Sequence, residues 1–318
     1  METTEEKTEP SGEQRFLGDY PLIRLLGKGA AGEVWLSEHP TLKIPVAVKV
    51  MRRALDDAEP DELARFKREA QLAASIEHPN LLRIYSADLE HNPQYQVWEY
   101  SPGGNLREML EEGKGHLAPE IVRDLLRQVG QALIAVEKAG MIHRDIKPEN
   151  ILIGKDGSFK LADLGIARLA KSTGINLTGS FIVGTPGYMS PEQIHDVDQI
   201  DIRSDLYALG CVAYELSTGQ PVFLDDSVFD LLVKHSQDPI KPINDYNMEI
   251  PSGLGAIIHQ LLQKRPERRF QSPVDLVAAL DKMDSGAGVA EARKPTSIAR
   301  GSQTMSISPH PKGQPRVT

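Results

Sequence analysis

The stretch Met141-Ile142-His143-Arg144-Asp145-Ile146-Lys147-Pro148-Glu149-Asn150 decides the reading of this chain. It sets an acid, a lysine and an amide close together at spacings that suit chemistry on a phosphate. Asp145 can accept a proton from a hydroxyl, Lys147 can neutralise phosphate charge, and Asn150 can ligate a cation through its amide oxygen. Pro148 stiffens the turn that aims these groups the same way. An Arg-Asp pair beside a lysine is, in most loops, simply solvated. What separates the two readings is whether companion parts flank the stretch in the right order.

Composition narrows the classes first. The chain has 318 residues, more than one core usually serves, so one large lobe or two smaller ones are expected. Hydrophobic residues make up 40% and charged residues 25%, ordinary for a globular protein. A net charge of −9 argues against bulk nucleic-acid binding. Cys211 is the lone cysteine, which excludes an internal disulfide, fits a reducing compartment and reads as an inert buried thiol in the apolar run Leu206 to Leu216. No apolar run is long enough to span a bilayer, and the acidic N-terminus does not read as a signal peptide. The expectation is a chain working in the cytoplasm, or as the cytosolic part of a longer membrane-tethered protein.

Upstream of the loop, residues 1–17 are expected to be disordered and acidic, being rich in Glu, Thr and Lys. From Tyr20 the pattern turns to strand and runs into Gly27-Lys28-Gly29-Ala30-Ala31-Gly32-Glu33-Val34. Glycines at this spacing let backbone amides approach a polyphosphate closely, because no Cβ intervenes. Val34-Trp35-Leu36 continue as a second strand, so the glycines sit on a β-hairpin and not at a strand-to-helix junction. That placement disfavours a dinucleotide-binding fold. Val46 to Val50 reads as a strand carrying Lys49 among apolar residues, an arrangement that requires a partner for the ammonium. The helix predicted after Pro60 carries Glu69 within its apolar face, beside Leu63, Phe66 and Ala70, and Glu69 is the expected partner. Strands are predicted over Leu81–Tyr85 and Tyr95–Trp98, followed by a Pro- and Gly-punctuated linker from Glu99 to Gly104.

Beyond the linker the pattern turns helical, with Asn105 capping Leu106 to Glu111 and a long amphipathic helix from Pro119 to Lys138 ended by Gly140. Ile151–Ile153 and Phe159–Leu161 are expected to pair across the turn Lys155-Asp156-Gly157, a hairpin that delivers Asp163 to a strand end. A carboxylate held there is suited to magnesium. The apolar run from Asp205 reads as a buried helix, with weaker helical signals at Phe229–His235, Gly255–Leu262 and Pro273–Met283. Residues 284–318 are basic and low in apolar content, and are expected to be a disordered tail or linker.

Taken together, the glycine hairpin, Lys49, Glu69, the His-Arg-Asp loop, Asp163-Leu164-Gly165 and the run Gly184-Thr185-Pro186-Gly187-Tyr188-Met189-Ser190-Pro191-Glu192 resemble the eukaryotic-type (Hanks-type) Ser/Thr protein kinase family. The likeness covers about Tyr20 to Met283 and is strongest to bacterial members. It implies the α+β, bilobal protein-kinase fold: a small, mostly antiparallel β N-lobe with one key helix, and a larger, mainly helical C-lobe. The implied boundaries are 18–98 for the N-lobe, 99–104 for the hinge and 105–283 for the C-lobe. The implied reaction is transfer of the ATP γ-phosphoryl group to Ser or Thr of proteins, the chain's own activation loop included, with a transient dimer for that step.

The same resemblance assigns residues. ATP is expected against Gly27, Lys28, Gly29, Ala30, Gly32 and Val34 of the lid, Ala47, Lys49 and Glu69, and Glu99 and Ser101 of the hinge. Asn150 and Asp163 are expected to hold Mg2+, with Mn2+ as its substitute, while Asp145, Lys147 and Asn150 carry the transfer. Thr185 helps read the acceptor, Glu192 pairs with Arg269, and Asp205 bonds the catalytic-loop backbone. Arg144 is expected to pair with phosphate on Thr178 or Ser180. Trp98 falls just before the hinge, where an indole is unusual for the family; Leu164 stands where Phe is usual, and Ala30-Ala31 where a polar or aromatic residue is common. A nucleotide-binding scaffold without turnover typically lacks the lysine or one of the aspartates, and this chain keeps Lys49, Asp145 and Asp163. A small-molecule kinase is disfavoured by the Gly-Thr-Pro-Gly-Tyr and Ser-Pro-Glu run.

Overall fold

In a computed structural model, which describes residues 15–29, 32–51, 68, 70–113, 115–164, 185–195 and 199–286, the first half of the chain is built on one antiparallel sheet. Its strands are β3 (Arg24–Gly29), β4 (Gly32–Glu38), β5 (Pro45–Met51), β6 (Ile84–Asp88) and β7 (Tyr95–Glu99), in the order β3-β4-β5-β7-β6. A small hairpin of β1 (Phe16–Leu17) and β2 (Tyr20–Pro21) precedes it. Strand alternation gives β5 two different faces. Val46 and Val48 are fully buried with Leu17, Tyr20, Tyr95 and Val97, whereas Ala47 belongs to the larger core with Trp98 and Ile84. Lys49 follows the parity of Ala47 and therefore faces away from the β1–β2 hairpin.

Two boundaries differ from the sequence expectation. The disordered reading of residues 1–17 fails at its end, because Leu17 is buried in the satellite core and Phe16–Leu17 pairs with Tyr20–Pro21. The strand expected over Leu81–Tyr85 lies at Ile84–Asp88 instead. Leu81 makes a bridge to Leu161 in the other lobe, and Leu82 N donates to Leu161 O at 2.9 Å, so this segment pairs with the strand Phe159–Leu161 before it joins the sheet.

The second half is helical, with α1 (Leu106–Glu112), α2 (Pro119–Lys138), α3 (Pro191–His195), α4 (Ile202–Thr218), α5 (Val228–Gln237), α6 (Ser252–Leu261) and α7 (Pro273–Gly286). β8 (Ile151–Ile153) and β9 (Phe159–Leu161) form the predicted hairpin residue for residue. Asn105 caps α1, its Oδ1 accepting from Glu108 N at 3.1 Å. The inner face of α2, with Val122, Leu125, Leu126, Val129, Leu133 and Val136, is fully buried, each side chain contributing about 2 kcal/mol of transfer free energy.

α4 starts before the expected Asp205, because Asp201 caps it by accepting from Arg203 N. All but two of its residues are buried, as its all-round apolar sequence requires, and Cys211 lies among them with its thiol pKa pushed far up by burial. α7 runs three residues past the expected Met283 to Gly286. Arg127 reaches Asp281 and Asp284 on its last turns, and Arg123 also reaches Asp284. No helix among the described residues is long and apolar enough to cross a membrane.

Candidate active site

The loop from Met141 to Asn150 is held from below by Asp205. Its Oδ2 accepts from His143 N and its Oδ1 from Arg144 N, both at 2.7 Å. Burial pushes the Asp205 carboxyl up to about 7 against the pull of these two N–H bonds. Arg144 sits in the left-handed region at φ 66, a conformation that costs a non-glycine residue about 1 kcal/mol or more. His143 is fully buried; its Nε2 lies 2.9 Å from Ala162 O, and its Nδ1 accepts from Asp145 N at 3.3 Å. With Nδ1 accepting, Nε2 is the nitrogen that donates, to Ala162 O. The imidazole thus joins the loop to the residue before Asp163.

Asp145 is oriented by Asn150, whose Nδ2 donates to Asp145 Oδ2 at 3.0 Å and to Asp145 O at 2.8 Å. Lys147 Nζ lies 3.4 Å from the same Oδ2 and donates to Thr185 Oγ1 at 3.0 Å. The Thr185 hydroxyl donates in turn to Asp145 Oδ1 at 3.4 Å. The structure therefore brings Asp145, Lys147, Asn150 and Thr185 into one network. With Nδ2 spent on Asp145, the Asn150 oxygen is the atom left for a cation.

Asp163 follows the β8–β9 hairpin at φ 58 and forms an ion pair with Lys49, Nζ to Oδ1 at 2.5 Å. Burial would raise its pKa, but the Lys49 ammonium outweighs this and holds the carboxylate below its usual range. Ala162 N donates to Asn150 O at 2.8 Å, which keeps the two oxygen-bearing residues on adjacent backbone. Asn150 and Asp163 supply oxygen donors of the kind magnesium accepts alongside phosphate oxygens, so the site fits a nucleotide-bound divalent ion. Glu69, the expected partner of Lys49, lies outside the described residues, as do Ala30, Gly165, Thr178 and Ser180.

In the glycine hairpin, Gly27 pairs with Val34 and Gly29 with Gly32, with open space where a Cβ would stand at Gly27 and Gly29. Lys28 pairs with Glu33 at 2.9 Å on the exposed edge. Val34 lies opposite Lys49, and Ala47 opposite Trp98. Trp98 is 4% exposed and donates its indole N–H to Gln96 Oε1 at 3.2 Å, so it is a core aromatic in place. At the linker, Glu99 ends β7 and its carboxylate takes Lys160 Nζ at 2.8 Å. The Ser101 hydroxyl donates to Ile153 O at 2.7 Å, Gly103 N donates to the same oxygen at 3.0 Å, and Ile153 N donates to Gly104 O at 2.9 Å. A Cβ at Gly103 would collide with the Ile153 carbonyl, so only glycine allows this close approach.

Glu192 and Arg269 form the expected pair, bidentate at 2.6 and 2.8 Å with both side chains buried. Sequence reasoning missed a second cluster in which Arg107 reaches Glu149, Tyr188 and Glu215. A signal for it existed, since Glu215 is the one acid within the apolar run Leu206 to Leu216 and needs a cation nearby.

A sheet-rich lobe, a helical lobe and a site of this make define a protein kinase. Residues 20–278 match the protein kinase domain model, and the chain belongs to that family. Over 286 residues it is 37% identical to the probable serine/threonine-protein kinase SCO3848 of Streptomyces coelicolor, covering 87% of this chain and 42% of the relative. Over 273 residues it is 38% identical to the serine/threonine-protein kinase PknB of Mycobacterium leprae, covering 84% and 43%. The kinase domain of PknI from Mycobacterium tuberculosis, solved as a point variant, superimposes with a TM-score of 0.66 at 24% identity, over 86% of this chain and 98% of that one, and shows the same fold. This is a Ser/Thr protein kinase domain of the bacterial Hanks type, and the chain spans less than half the length of those curated relatives.

Proposed function

We propose that the chain transfers the γ-phosphoryl group of ATP to Ser or Thr hydroxyls of proteins, its own activation loop among them. The observation that carries this reading is the placement of the Thr185 hydroxyl between Asp145 Oδ1 and Lys147 Nζ. It supports a seat in which an aliphatic hydroxyl gives up its proton to a carboxylate while an ammonium balances the charge that develops. Asp145 takes the acceptor's proton at Oδ1, its other oxygen being held by Asn150. Lys147 stabilises the transferring group. Lys49 turns from Asp163 to the α- and β-phosphates, and the amides of Gly27, Gly29 and Gly32 cover them. The Glu99 carbonyl and the Ser101 amide hold the adenine edge, with Val34 and Ala47 as apolar walls. Magnesium, or manganese in its place, held by Asn150 and Asp163, supplies neutralisation of the phosphate charge.

Arg144 would meet a phosphate on Thr178 or Ser180, and Glu69 would pair with Lys49 once Asp163 engages the metal. Protein substrates, a transient dimer for self-phosphorylation, a kinase domain over 18–283 and work on the cytoplasmic side complete the proposal. The test is incubation with labelled ATP, magnesium and a panel of acceptor proteins, followed by phosphosite mapping. Label on Ser or Thr of any of them, self included, supports the reading; label on none overturns it.

A further inference from the structure

Arg107, in the first turn of α1, donates Nη1 to Glu215 Oε1 at 2.7 Å, Nη2 to the Tyr188 hydroxyl at 2.6 Å and Nε to Glu149 Oε1 at 3.0 Å. The Tyr188 hydroxyl donates to Glu215 Oε2 at 2.5 Å. Four elements meet here: α1, the turn that ends the catalytic loop, the turn after Thr185, and buried α4. The Glu215 side chain is 8% exposed, Arg107 28% and Glu149 44%. Burial opposes the charge on Arg107, yet Glu215, Tyr188 and Glu149 together outweigh it and the guanidinium stays charged. Burial and Glu215 both raise the Tyr188 pKa, so the phenol remains a neutral donor.

The cluster lies beside the acceptor seat by chain connection alone. Glu149 is two residues from Lys147 and Tyr188 three from Thr185, and those two partners contact each other at the seat. Two carboxylates converging at that spot, one nearly buried, would otherwise make an anionic cup for an arginine or lysine of the bound protein. Here the cup already holds an arginine from the same chain. What Glu149 still presents to solvent is a half-exposed carboxylate that shares its charge with Arg107, and such exposed pairings contribute little.

We propose that Arg107 is a specificity-determining residue that fills the Glu149–Glu215 cup from within and so denies the site a preference for basic side chains next to the acceptor. This rests on the protein-kinase reading above. Its role is to position, acting through the two glutamates.

The experiment uses matched peptides in which one Arg replaces Ala at successive positions around a single acceptor Ser. For each position, kcat/KM for the Arg peptide is divided by that for the Ala peptide, in the wild type, Arg107→Ala and Arg107→Gln. Gln retains a hydrogen-bonding amide on a long side chain without the charge, so it decides the matter if the Ala variant does not fold. The wild-type ratio is expected within about threefold of one throughout. In the variants it rises at least about tenfold at one position, through KM and not kcat, and adding Glu149→Gln cancels the rise. A wild type that already prefers Arg tenfold overturns the proposal, as does a flat profile in the folded variants. A wild type that phosphorylates no peptide and no protein overturns the kinase reading itself, and with it this inference.

Discussion

Replacing Arg269 by Leu tests the link between the acceptor segment and the base of the large lobe. The Arg269 side chain is fully buried and spends every N–H: Nη1 and Nη2 on Glu192, Nη1 also on Arg203 O, Nη2 on Lys264 O, and Nε on Gln263 O at 2.7 Å. Leucine roughly fills the volume but leaves Glu192 as a buried charge with, among the described residues, only the Ser204 hydroxyl, 2.6 Å away, as a side-chain partner. Removing one partner of such a pair costs about 3–5 kcal/mol, a large part of the roughly 5–15 kcal/mol that holds a domain folded. Urea unfolding at pH 7.5 should register that loss, and the Arg269→Leu, Glu192→Gln double variant should recover part of it.

The pH dependence sharpens the test. With Arg269 present, Glu192 titrates below its ordinary 4.5; burial raises it, but Arg269 outweighs burial. Its contribution is therefore present above pH 4.5 and lost as pH falls through the lower folded value. Without Arg269, burial lifts the same carboxyl above 4.5, so acid favours the folded variant and its deficit should shrink between pH 7 and 5. A deficit under about 1 kcal/mol at pH 7.5, or one that widens on acidification, refutes the reasoning.

Three further outcomes are expected. Asp145→Asn should lower phosphoryl transfer by about 10²–10⁴-fold while nucleotide affinity, read by fluorescent-nucleotide displacement, changes little; near-normal transfer would remove Asp145 from its role. Gly103→Ala should weaken nucleotide binding and lower the thermal midpoint, because the added carbon meets the Ile153 carbonyl, and an unchanged midpoint would contradict the close approach. Burial, with the Lys264 charge second, pushes His235 down to about 3 from 6.5, so the unfolded chain binds the extra proton between those values. Stability from this group is complete above pH 6.5 and falls by up to about 1.4 kcal/mol per pH unit below it. His235→Gln should flatten the urea midpoint against pH from 6.5 to 4.5, and an unaltered slope would rule the histidine out.

Much of this site was legible because its parts are local in sequence. Ile151–Ile153 and Phe159–Leu161 flank a turn that names itself, and the hairpin formed as predicted. Glu192–Arg269 and the Asp205 clamp came from the family resemblance, since 77 residues separate the first pair and 61 or 62 the second. The slip of β6 had no local cue: Leu81 is captured by Leu161, and that contact exists only once both lobes are formed. The Arg107 cluster was missed for the same reason. Arg107 stands in an ordinary helix start, and its principal partner is 108 residues away. Only Glu215, the one acid within the apolar run Leu206 to Leu216 of α4, pointed to it, and an acid states a need without saying which element meets it.

The left-handed turn at Arg144 has a consequence for how such an enzyme can be switched. Asp205 belongs to the most deeply buried helix of the lobe, and its two oxygens hold the amides of His143 and Arg144 that lead into that turn. The unfavourable backbone is thus settled once, when the lobe folds, and no turnover has to supply it again. A loop wound in advance has nothing left to learn from a control signal. Regulation must therefore act on arrivals, by admitting or withholding the acceptor and the nucleotide, while the carboxylate that receives them waits in a fixed pose.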